Sequence, residues 1–193
     1  MAMITADPKD VPKVENFAFT TDNLAKAKAL ISNYPAGRQA SAVIGVLDLA
    51  QRQQGWLPRA AMETVAKLLD MAPMRVYEIA TFYTMFQLKP RGKYLLQVCT
   101  TTPCWLRGSD DVMKACRAVE DGETFTVQEV ECLGGCVNAP VVQINDDFYE
   151  DLDERSTTRV LEALRRGEKP KPGPQIDRQT TAPVGGPTTL RSA

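Results

Sequence analysis

The sequence of 193 residues predicts a mixed α/β (α+β) protein, a small helical bundle followed by a small sheet with helices packed on it. Three observations predict it. Apolar residues recur at helical spacing through the first half, whereas β-branched and apolar runs alternate with helical stretches in the second. Between the halves, Lys89-Pro-Arg-Gly-Lys93 combines turn residues with charge and reads as a hinge. The expected divisions are an extended arm over 1–17, a helical bundle over 18–88, a sheet domain over 93–167 and an extended tail over 168–193.

The arm is polar and proline-bearing, and is expected to order only against a partner. Thr20 or Thr21 is placed to cap a helix starting near Asp22, whose charge suits the first turn, and Pro35-Ala-Gly37 ends it. From Ser41, Val43, Leu47 and Ala50, with Ile44 and Val46 beside them, keep helical spacing to Gln54 and stop at Gly55. Pro58 opens a third helix with one stripe of Met62, Val65, Ala66 and Leu69. A fourth is expected from Pro73 to about Phe86. Met74, Tyr77, Ala80, Phe82, Tyr83 and Phe86 surround it almost completely, which predicts burial on every side.

After the hinge, residues 94–99 form a strand that leads into a cysteine loop. Ser109 then caps a helix with Asp110 and Asp111 in its first turn and Val112, Cys116 and Val119 on one face. Residues 124–132 form a second strand leading into a second cysteine loop, which Pro140 closes. A hairpin of 141–145 and 147–151 turns at Asn145-Asp146, and 154–166 is a final helix with Val160, Leu161 and Leu164 inward. The tail is rich in Pro, Gly and Thr, a composition that packs no core of its own and suits either a disordered terminus or an extended strap.

The chemistry lies in the two loops, Cys99-Thr-Thr-Thr-Pro-Cys104 and Cys132-Leu-Gly-Gly-Cys136. Two parallel strands ending at one edge would bring them together. A disulfide framework fits poorly, since the amino terminus has no secretory pattern and the chain is long enough to need no staples. Zinc accepts four thiolates at such spacings, and iron with sulfide uses the same soft ligands, so ligand type alone leaves both open. Gly134-Gly135 favours iron and sulfide modestly, because glycine lets amide N–H groups approach an anion. The fifth cysteine, Cys116, shares a helical face with Val112 and Val119 and is expected to be a buried small hydrophobe.

The formal charge of −1 implies no polyanion partner. Its distribution is uneven: residues 120–153 carry ten acidic and no basic side chains, whereas 154–193 carry eight basic and four acidic ones. Acidic groups near an anionic cluster would disfavour adding an electron, which points in the direction of a low potential, as in plant-type ferredoxins, with solvent screening leaving a direction and no value. With no histidine in the chain, a Rieske centre, a zinc site with imidazole ligands, a histidine-based triad and a histidine-ligated haem are excluded. No apolar run approaches the roughly 18 residues of a spanning helix. Neither a G-x-G-x-x-G nor a P-loop pattern supplies a nucleotide site, so the chain alone is expected to hold no hydride carrier.

The cysteine stretches, with Val130-Glu-Cys-Leu-Gly-Gly-Cys-Val-Asn-Ala-Pro-Val-Val-Gln-Ile144, resemble the thioredoxin-like [2Fe-2S] subunit of respiratory NADH:quinone oxidoreductase, complex I, the NuoE type. Gly37-Arg-Gln-Ala-Ser41, Tyr77-Glu-Ile-Ala-Thr-Phe-Tyr83, Phe148-Tyr-Glu-Asp-Leu152 and Lys169-Pro-Lys-Pro-Gly-Pro174 extend the likeness over most of the chain. The resemblance implies a thioredoxin-like [2Fe-2S] ferredoxin domain over 93–167, with Cys99, Cys104, Cys132 and Cys136 as ligands and each loop serving one iron. It implies electron exchange with FMN on an NADH-binding partner subunit, contact with the large multi-cluster Fe-S subunit, and a place at the cytoplasmic face of a bacterial inner membrane. It also favours a strap laid over a neighbouring subunit for the tail. The same subunit type serves soluble NAD-linked formate dehydrogenases and hydrogenases, and an all-cysteine zinc scaffold is the alternative from another class. One departure from the family is the interval of 27 residues between Cys104 and Cys132, shorter than in most members. The missing part falls around 119–125, where a trimmed turn away from the ligands is expected.

Overall fold

In the computed structural model, which describes residues 11–181, the chain divides into two units between Pro90 and Arg91. In the first, helices α1 (Thr21–Ser32), α2 (Val43–Gln54), α3 (Arg59–Leu69) and α4 (Pro73–Phe82) surround one apolar core. The Thr20 side chain accepts the Asn23 N–H at 3.3 Å and so starts α1. A 3-10 turn, Gln39–Ala42, leads into α2, which ends at Gly55 in the left-handed region with φ of 85°. Two glutamines of α2 then hold the chain outside the helices. Gln53 accepts from Thr20 N–H and Asn23 Nδ2 and donates to the Ala18 carbonyl. Gln51 donates to the Met85 carbonyl and accepts from Gln87 N–H.

Two expectations change here. The last part of the arm is ordered by its own chain, because Phe17 and Phe19 meet edge to face at 5.2 Å and pack against the helical core. The Phe17 carbonyl also accepts from Thr64 Oγ1 at 3.0 Å. Residues 1–10 of that arm lie outside the described residues. The fourth helix stops at Phe82, since Tyr83 turns extended with ψ of 115°, and of α4 only Val76 and Ala80 are buried. Met74, Tyr77, Phe82 and Tyr83 are exposed, so apolar residues on all sides do not produce burial on all sides when the core covers only one.

The second unit is a five-stranded sheet in the order β2-β1-β3-β4-β5, formed by β1 (Tyr94–Cys99), β2 (Phe125–Val130), β3 (Val142–Ile144), β4 (Asp147–Glu150) and β5 (Gly173–Pro174). β1 and β2 run parallel, with Cys99 opposite Val130, so both cysteine loops leave the same end of the sheet. β3 pairs antiparallel with β1 and β4 antiparallel with β3, the hairpin turning at Asn145, whose φ is 54°. Helix α5 (Thr102–Leu106) lies inside the first cysteine loop; α6 (Ser109–Ala118) and α7 (Glu154–Arg165) pack on each other and, through Val112, Cys116, Val160, Leu161 and Leu164, join the core with the strands.

Ser109 does not cap α6. The cap position falls on Gly108, left-handed at φ of 91°, and Ser109 is the first helical residue, buried with its hydroxyl unpartnered. The insertion of α5 just ahead sets this register. The turn over 119–125 is short and closed by Asp121, whose Oδ1 accepts from the N–H groups of Glu123, Thr124 and Phe125. On the outer edge of β2, Val127 donates its N–H to Glu120 Oε1 and accepts from Arg117 Nη1, while the Phe125 carbonyl accepts from Asp121 and Gly122. In the tail, β5 runs parallel to β4, and residues 175–181 stay bonded to the same unit through Glu150, Asp151 and Asn138; residues 182–193 lie outside the described residues.

Candidate metal centre

Cys99 is the last residue of β1, and Cys104 sits in α5 after Pro103, which is favourable in the first turn of a helix. Both side chains are 1 % exposed, walled by Ala139, Val141, Leu133 and Phe148. Cys132 and Cys136 are exposed and face each other across their loop, Sγ to Sγ 3.3 Å. That loop needs both its glycines. Gly134 has φ of 83° and donates its N–H to Cys132 Sγ at 3.3 Å. At Gly135 a Cβ would lie 2.9 Å from Val141 Cγ2, a separation that leaves no room for a side chain.

The two loops meet through backbone N–H groups and sulfurs. Burial pushes the Cys99 thiol up, but hydrogen bonds from the Thr101 side chain, the Leu133 and Thr101 N–H groups and Cys104 outweigh it, so Cys99 is held below its ordinary range. Cys104 is pushed up to about 12 by burial first and then by its bond to Cys99, and it also feels Cys136. Cys132 is lowered by the Gly134 N–H, then by Cys136, with Thr101 also contributing. Cys136 is raised by its bond to Cys132. Within each pair, one sulfur leans toward thiolate and the other donates to it. Metal loading takes thiolates and therefore releases protons.

The donor set suits a two-iron cluster. Four sulfurs arrive as an inner and an outer pair, with N–H groups from Gly134, Leu133, Thr101 and Val141 aimed at three of them, as thiolates around an anionic centre require. The fifth cysteine, Cys116, lies apart, fully buried in the sheet core, and burial pushes its thiol up to about 12.

The sequence profile of the thioredoxin-like [2Fe-2S] ferredoxins matches residues 27–165. The chain belongs to that family. Among similar proteins, the E subunit of the NADH-quinone oxidoreductase of Rickettsia bellii (strain RML369-C) is 55% identical over 162 residues, covering 79% of this chain and 97% of the relative. Its counterpart in Rickettsia prowazekii (strain Madrid E) is 56% identical over 161 residues, covering 78% and 91%. The E 1 subunit of the Rhizobium meliloti (strain 1021) enzyme is 47% identical over 195 residues, covering 95% and 71%. Among solved structures, an NAD+-reducing [NiFe]-hydrogenase in its H2-reduced state shares the fold with TM-score 0.55 at 20% identity, over 65% of this chain and 23% of that one.

Several contributors were not singled out in the sequence. Val141 touches both inner sulfurs' backbone surroundings: its carbonyl accepts the Cys99 N–H at 3.1 Å, its N–H bonds to Cys104, and its side chain packs on Gly135. Its place directly after Pro140, where the second cysteine loop closes, was its only signal. Trp105, Leu106 and Val137 are 57%, 70% and 77% exposed, and two of them directly follow ligand candidates in the chain.

Proposed function

We propose that Cys99, Cys104, Cys132 and Cys136 hold one [2Fe-2S] cluster, and that the chain is the electron-transfer subunit of an NADH-quinone oxidoreductase. One observation carries the reading: the two cysteine loops leave the same end of the sheet from two parallel strands and bond to each other there, Leu133 of the second loop donating its N–H to Cys99 of the first, with the inner pair buried and the outer pair open to solvent. A cluster bound there supplies reversible storage of a single electron. The residues do the rest. Cys99 and Cys104 sit in an apolar wall that excludes water, whereas Cys132 and Cys136 lie at the surface, where a partner's cofactor can approach closely. The N–H groups aimed at the sulfurs stabilise their negative charge.

The partner proposed is the FMN- and NADH-carrying subunit, with the large multi-cluster Fe-S subunit as a second neighbour, at the cytoplasmic face of a bacterial inner membrane. Relatives that are 47% to 56% identical are named as E subunits of NADH-quinone oxidoreductase, which favours this over a soluble formate dehydrogenase or hydrogenase. No helix among the described residues is long and apolar enough to cross a membrane, so attachment falls to other subunits. Exposed Val137, next to Cys136, and exposed Trp105 and Leu106, directly after Cys104, offer apolar surface for that contact.

Metal analysis and electron paramagnetic resonance of the dithionite-reduced chain test the cluster. About two irons per chain and a paramagnetic signal on reduction are expected. A colourless protein holding zinc overturns the reading. In complex with the flavin subunit, NADH should reduce the cluster; a cluster that stays oxidised under excess NADH removes the electron-transfer role.

A further inference from the structure

The segment after α7 is tied to the second cysteine loop through two buried side chains. Glu150, the last residue of β4, is 3 % exposed. Its Oε2 accepts from Asn138 Nδ2 at 2.7 Å and from the Thr181 N–H at 3.1 Å, and its Oε1 from Thr181 Oγ1 at 2.7 Å. Asn138, 1 % exposed, donates a second time from Nδ2 to the Gln179 carbonyl at 2.8 Å. Further along, Gln175 N–H donates to the Glu150 carbonyl, and Arg178 meets Asp151 at 3.3 Å.

Asn138 also belongs to the cysteine loop. It ends the 3-10 turn Cys136–Asn138, donating its N–H to the Gly135 carbonyl at 3.0 Å, and its own carbonyl accepts the Asp151 N–H at 2.8 Å. Both partners of its amide nitrogen are acceptors, which fixes the direction of the amide. Reversed, Oδ1 would face a carboxylate and a carbonyl. A buried carboxylate stripped of its donors is costly, so detaching residues 179–181 would disturb Glu150, and with it Asn138 and the turn that presents Cys136.

We infer that residues 173–181 act as an internal clamp on the second cysteine loop, with Glu150 and Asn138 as positioning residues for Cys136. Its functional meaning rests on the cluster reading above. The tail, expected as a strap over a neighbour, does this work on its own domain as far as residue 181.

The test uses the full chain loaded with its cluster and follows loss of visible absorption in excess EDTA. Asn138→Asp, which sets a carboxylate against Glu150, and Glu150→Ala should each lose the cluster about tenfold faster than wild type. Glu150→Gln should stay close to wild type, because the Thr181 hydroxyl can turn to accept from the new amide while the remaining oxygen still accepts from Asn138. Val160→Ala, in the sheet core away from the clamp, should lower stability and leave the rate unchanged. Wild-type rates in Asn138→Asp and Glu150→Ala, or an equal acceleration in Val160→Ala, overturn the clamp. Where those two variants do not fold, Thr181→Val removes one hydroxyl donor and should accelerate loss a few-fold; an unchanged rate counts against the clamp. If wild type takes up no cluster, the functional reading fails by itself. The clamp is then judged by amide exchange over 132–138 in the metal-free chain, which Asn138→Asp should quicken and which, if equal to wild type, overturns it.

Discussion

At Gly135 the loop presses against Val141, whose backbone bonds both inner cysteines, so a methyl group there acts on the site through its neighbour. Valine is stiff at χ1 and has little room to give way. Gly135→Ala is expected to destabilise the chain by about 1–3 kcal/mol and to weaken cluster retention, measured by thermal melting and by absorption after desalting. Cys116→Ala should leave the cluster's absorption intact, because that sulfur is packed with the sheet core and not with the loops. The ligand candidates and the separate character of Cys116 were legible in the sequence, since paired spacing and helical spacing are local signals. The bonds of Leu133 to Cys99, of Val141 to Cys104 and of Thr101 to Cys132 were not, because each joins residues whose approach is decided by how two loops fold against each other.

Helix α7 opens with a capping box, Asp153 accepting the Ser156 N–H at 2.6 Å while the Asp153 N–H donates to Ser156 Oγ at 2.9 Å. The Ser156 side chain first, and then its N–H, hold the Asp153 carboxyl below the usual aspartate range; the Phe125 N–H leads a similar effect on Asp121. A depressed folded value means that stabilisation is present above the unfolded value, about 3.9, and is lost as pH falls through the folded one. Asp153→Ala should therefore cost about 1 kcal/mol near pH 7, with the difference from wild type shrinking below about pH 4, as read from denaturant midpoints across pH. The long elements were visible through their periods, with ends displaced by a residue or two except in α4, which stops at Phe82, four residues short of the expected Phe86. Two short ones were not: five-residue α5 and two-residue β5 carry too little pattern to register, and missing α5 is what misplaced the cap of α6.

On the scale of the whole chain, the order of a helical unit before a sheet unit follows from composition and pattern, and the family match across 27–165 spans that order. The turn that Asp121 closes lies at the opposite end of β2 from Cys132. Exposed Val137 beside Cys136 belongs to the surface proposed to meet the flavin subunit, so Val137→Glu should weaken that complex in pull-down or titration while the reduced chain keeps its paramagnetic signal. What the sequence could not convey is which apolar residues of α4 stay outside, since exposure depends on how much of a helix its neighbours cover.

The outward main-chain groups of Phe125 and Val127 are occupied by Asp121, Glu120 and Arg117, and at the far margin β5 is only two residues long. Strand-to-strand polymerisation needs a free row of amides and carbonyls on which an incoming chain can zip up. Over residues 125–127 the β2 margin thus leaves an incoming copy little to grow on.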